Sequence, residues 1–140
     1  VTTPDLAGGT GPVSFAVALR HELVIAGERG VIRNIVQGEA RRLGLSLKLA
    51  FEVHSISSMK SLIGRASAAT IMPYSLAPRE IDAGTLVARR IERPAITRTL
   101  YLVRPLKRSS IRREAEIMSF LEDLCHRALQ AMEPYGRTLR

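Results

Sequence analysis

Disulfides, tryptophan and long apolar runs are all missing from this 140-residue chain. A lone Cys125 cannot close an internal bridge, and such scarcity fits a reducing cytoplasm. No apolar run approaches the ~18 residues needed to cross a bilayer. The start, Val1-Thr2-Thr3-Pro4, lacks the basic and apolar regions of a secretory signal. It also lacks Met, so the chain reads as cut from something longer. Aromatic residues make up only 4% and tryptophan is absent, which leaves little with which to stack nucleic-acid bases.

Acidic residues are outnumbered, 13 Asp and Glu against 21 Lys and Arg, for a formal net charge of +8. The excess is concentrated between Arg79 and Arg113, where only Glu80, Asp82 and Glu92 oppose ten basic residues. Such a patch attracts polyanions, or it is simply a solvated basic face. Hydrophobic residues reach 46%, enough for a true core in one domain or two small lobes.

Residues 4–12 read as a loop from their Gly and Pro density. Ser14 can cap a short helix running to about Arg20. Leu23-Val24-Ile25-Ala26 is a short apolar strand. From Val31 to Leu43 the apolar residues fall at helical spacing, with Arg33 off the stripe. Gly44 stands where a left-handed helix end is wanted.

Leu45, Leu47, Leu49, Phe51 and Val53 then alternate with polar or small residues, the signature of a strand. Ser55 suits the cap of a following helix carrying Met59, Leu62 and Ile63. Ala69–Met72 is a third strand stopped by Pro73, and Pro78 opens a short helix ending near Gly84. Leu86–Ile91 and Thr97–Val103 read as two more strands around Pro94. Ser109 or Ser110 would cap a long last helix whose apolar stripe runs from Ile111 to Met132, with Cys125 near the core side and Pro134 beyond. Strands alternating with helices predict an α/β fold with a mostly parallel sheet.

Enzymatic signatures are absent. Gly9-x-Gly11 runs into Pro12 and has no third glycine, so it is no dinucleotide fingerprint. No phosphate loop and no Gly-x-Ser-x-Gly elbow occur. His21, His54 and His126 are scattered, and adjacent Cys125 and His126 point in different directions on a helix. The sequence therefore predicts no catalytic group, no metal and no cofactor. What remains is a set of helix starts after strands: Gly27-Glu28-Arg29-Gly30, Ser55-Ile56-Ser57-Ser58 and Pro73-Tyr74-Ser75. Free N–H groups, hydroxyls and Arg33 could converge there on a small anion. The plain alternative is that these serines only cap helices.

In order and spacing, several segments resemble the effector-binding domain of LysR-type transcription regulators. They are Val13–Leu19, Leu23-Val24-Ile25, Arg33 in a helix closing at Leu43-Gly44-Leu45, Phe51–Ser55, Met59–Ile63, Ala69–Pro73, Thr85–Ile91 and Thr97–Leu102. Two places depart from the family pattern: Ala26-Gly27 stands where it often has Pro-Ser, and Ala66-Ser67-Ala68 where it often has Gly-x-Gly. The resemblance implies a periplasmic-binding-protein-like fold of two lobes with a small effector in the cleft. Residues 22–100 would form one lobe, and residues 1–21 and 101–140 part of the other. Gly27, Glu28, Arg29, Arg33, Ser55, Pro73 and Ser75 are then the candidate effector contacts. The implied partners are a small anionic or polar metabolite and further copies in a homodimer or homotetramer. Operator DNA would be reached only through a winged helix-turn-helix preceding Val1, and no membrane is involved. A basic nucleic-acid-binding module and a stand-alone small-molecule-binding protein are the competing readings.

Overall fold

The computed structural model describes residues 1–27, 30–65, 68–101, 103 and 112–130. They form two compact units, Val1–Arg98 and Thr99–Arg140. The first contains α1 (Pro4–Ala7), β1 (Val13–Ser14), α2 (Phe15–Ala18), β2 (Glu22–Ala26), α3 (Val31–Arg42), β3 (Lys48–Val53), α4 (Ile56–Arg65), α5 (Pro78–Asp82) and β4 (Ile91–Glu92). A single 3-10 turn, Tyr74–Leu76, precedes α5. The second unit contains α6 (Glu114–Gln130).

β2 explains the layering. Its run Leu23-Val24-Ile25 is buried throughout, and successive side chains leave a strand on opposite faces. Leu23 and Ile25 enter one core with Phe15, Leu19, Val36 and Ala40. Val24 enters the other with Met59, Ile63, Ala68, Ala77 and Leu86. α3 therefore packs on one side and α4 on the other. Each fully buried side chain of this size contributes roughly 1.5–3 kcal/mol.

Both strand pairs are parallel, β2 with β3 and β1 with β4. Further extended segments widen the β2–β3 sheet through a few hydrogen bonds each. Val24 N–H donates to Ala69 O at 2.8 Å, Thr70 N–H to Val1 O at 2.8 Å, and Val87 N–H to Thr2 O at 2.8 Å. Ala69–Met72 thus joins the sheet at single positions, as an extended segment. Of the strand expected over Leu86–Ile91, only Val87 (a bridge to Thr2) and Ile91 pair. No strand occurs among the described residues of Thr97–Val103, where Leu100, Tyr101 and Val103 are well exposed. The poor alternation of that segment gives it no single face to bury.

Several ends follow the local signals. Ser14 accepts the Val17 N–H at 3.3 Å as the cap of α2. α3 closes with Gly44 left-handed (φ 66). Gly44 N–H donates to Arg41 O at 3.1 Å and Leu45 N–H to Ala40 O at 2.8 Å, a Schellman ending. Residues 4–12 hold one helical turn, α1, where a loop was expected; Pro4 opens it and left-handed Gly8 ends it. Arg89 then clamps that stretch, its guanidinium donating to Ala7, Gly11 and Pro12 carbonyls at 2.7–3.1 Å. Lys60 Nζ meets Glu80 Oε1 at 2.5 Å and ties α4 to α5. That hydrogen bond holds the Glu80 carboxyl below its ordinary pKa.

Residues 1–21 lie in the same compact unit as residues 22–98: Phe15 and Leu19 fill its core and Thr2 pairs with Val87. Two further expectations differ from what is found. The clean alternation of Leu45–Val53 is interrupted by a bulge: Leu23 pairs Leu49 but Val24 pairs Phe51. Ala50 is the extra residue, β3 lies at the edge of the β2–β3 pair, and Leu49 and Phe51 are nearly half exposed. Cys125, expected near the core, is exposed, because no described element covers that face of α6. The expected cap at Ser109 or Ser110, together with Ile111, Met132 and Pro134, lies outside the described residues. No helix among the described residues is long and apolar enough to cross a membrane.

Candidate functional site

Parallel strands that end side by side leave a crevice beyond their carboxyl ends, flanked by the starts of the next helices. β2 ends at Ala26 and β3 at Val53, paired in register. A cavity of about 290 Å³ opens there. Ala26, Val53, Ile56 and Met59 make its apolar wall, and His54 and Ser55 its polar side chains. Gly27 and Gly30 bring backbone to its edge.

Each wall has a local cause. Gly27 N–H donates to Val53 O at 3.0 Å, which welds the two strand ends together. Gly30 N–H turns back to Gly27 O at 2.7 Å and starts α3. Ser55 Oγ accepts the Ser58 N–H at 3.4 Å, a long cap for α4, and pairs with the Ser57 hydroxyl at 3.1 Å. Met59 is buried, and its thioether accepts the Thr70 hydroxyl at 3.3 Å. The starts of α3 and α4 both border the cavity, so two sets of first-turn N–H groups lend it positive potential.

The candidate contacts divide accordingly. Gly27 and Ser55 line the cavity. Glu28 and Arg29 lie outside the described residues. Arg33 is buried and spends its charge on Glu52 of β3, Nη1 donating to Oε2. That pair ties α3 to β3. Pro73 and Ser75 do not line the cavity. His54, Ile56 and Met59 were missed. A residue's place at the end of a parallel strand is the one sequence signal that could have pointed to His54.

The basic stretch is partly neutralised at home. Arg89 is committed to the three carbonyls, and Arg90 pairs with Glu92 at 2.5 Å. Among the described residues no group of three His, Cys, Asp or Glu could hold a metal.

The family model for the LysR substrate binding domain matches residues 1–125. The chain belongs to that family. No curated protein and no solved structure matches it. Membership makes this LysR substrate binding domain an effector-binding domain of transcription regulators, with a periplasmic-binding-protein-like α/β fold. The family belongs to regulators, not enzymes. In the LysR domain described here, the cavity lies at the carboxyl ends of the paired parallel strands β2 and β3.

Proposed function

We propose that this chain senses a small anionic or polar metabolite in the cavity beyond β2 and β3, and passes that signal to a LysR-type regulator. The carrying observation is the cavity itself, where two parallel strand ends and two helix starts meet an apolar wall. Gly27 and Ser55 contact the ligand in this reading, and Glu28 and Arg29, next in the sequence, are further candidate contacts. Arg33 acts as a positioning residue through Glu52. Pro73 and Ser75 stay candidate contacts in this reading, on a segment that does not line the cavity.

Ligand binding in this reading shifts the balance between quaternary states of a homodimer or homotetramer. That shift changes how a winged helix-turn-helix elsewhere in the regulator grips operator DNA in the cytoplasm. The present chain would then bind DNA only weakly, without sequence preference and with steep loss in salt.

The test uses the complete regulator. A thermal-shift screen of small metabolites identifies a stabilising ligand, and calorimetry measures it. A Kd in the micromolar range corresponds to about −8 kcal/mol. Ile56→Trp fills the cavity from an exposed position and should abolish binding while leaving the unliganded melting temperature unchanged. Ser55→Ala should weaken binding several-fold. A ligand that binds both variants as it binds the parent protein would place the sensing site elsewhere.

A further inference from the structure

Gly27 has no backbone reason to be glycine, since its φ is not left-handed. It has a steric one. A Cβ built on Gly27 would stand 2.3 Å from His54 Cε1 and 2.4 Å from His54 Nδ1. No real Cβ contact is so short. The Cε1–Nδ1 edge of the His54 imidazole occupies the space that any other residue's Cβ would take.

No hydrogen bond to His54 occurs among the described residues, and the side chain is exposed at the cavity. An imidazole always carries at least one N–H donor. The second polar side chain of the cavity, Ser55, accepts the Ser58 N–H and has its own proton to give to Ser57 or to a ligand. No acidic side chain lines the cavity among the described residues. The hydrocarbon of Ile56 and Met59 lines the same cavity. At about 290 Å³ the space lies at the small end of ligand pockets.

We infer that His54, seated on Gly27, is the specificity-determining contact of this cavity, and that it selects a small carboxylate with an apolar body. The carboxylate accepts from the imidazole N–H and the Ser55 hydroxyl. The hydrocarbon lies on Ile56 and Met59. This inference rests on the sensing role proposed above and names the ligand class and the residue that chooses it.

The experiment compares acids with their neutral amides on the complete regulator: hexanoate against hexanamide, and benzoate against benzamide, by calorimetry. The parent protein should prefer each acid by about tenfold or more, as charge-assisted hydrogen bonds do. His54→Ala should collapse that preference to about twofold or less while changing amide affinity little. Gly27→Ala should displace the ring and lower the preference in the same direction. Thermal denaturation then checks the seat: Gly27→Ala should lower the melting temperature in the parent, and by much less in the His54→Ala background. An unchanged acid preference in His54→Ala overturns the inference, as does equal binding of acids and amides by the parent. Failure of both acids to bind overturns the carboxylate class. A different metabolite that binds the parent and is lost in Ile56→Trp would leave the sensing role standing while this inference falls.

Discussion

Residues Val1–Arg98 close around two apolar cores, whereas no described side chain of Thr99–Arg140 is buried. The two regions do not differ in helical patterning. α3 and α4 carry apolar stripes, and so does α6 with Ile117, Phe120, Leu121 and Leu124. Val36 and Ala40 of α3 and Met59 and Ile63 of α4 are buried because β2 offers each helix an apolar face. Phe120 of α6 remains 60% exposed. A stripe says which face a helix can bury, and burial needs a second surface.

Four substitutions probe that contrast, in descending order of expected effect. Ile63→Ala removes a fully buried side chain from the second core. It should cost about 2–5 kcal/mol in urea denaturation, and a cost like that of a surface change would mean the core is poorly packed. Arg33→Ala removes the buried guanidinium that meets Glu52 on β3 and loosens α3. Because Glu52 is partly exposed, the expected cost is about 1–3 kcal/mol, measured the same way. Ser55→Ala removes a long, exposed cap hydrogen bond, so the unliganded protein should lose only about 0.5 kcal/mol, the low end for such caps. Phe120→Ala in α6 should change stability by less than about 0.5 kcal/mol. A larger loss that grows with protein concentration would reveal that a second copy covers this helix.

Some of the candidate site could be read directly from residue order. Gly27 and Ser55 were identifiable because a strand followed by a capping residue marks a helix start, and helix starts attract anions. Arg33 was legible as a helical residue but not as a buried one. Its partner, Glu52, lies 19 residues away and meets it only because β3 pairs alongside β2. His54 carried no signal beyond its place at the end of a parallel strand. It lies against Gly27, a contact between two strand ends brought together by pairing.

Local order by itself determined the helices at 31–42, 56–65 and 78–82, the left-handed stop at Gly44 and the apolar strand at 22–26. Each rests on contacts within a few residues, where propensity, caps and periodicity act. Tertiary structure decided the rest. The bulge at Ala50, the joining of Val1–Thr2 between residues 70 and 87, and the exposure of Cys125 all depend on which surfaces meet. So does the cavity, whose walls come from two strands and two helices distant in sequence. Hydrogen bonding and apolar burial between remote segments are set by the summed packing of the whole unit, so no short window of residues contains them.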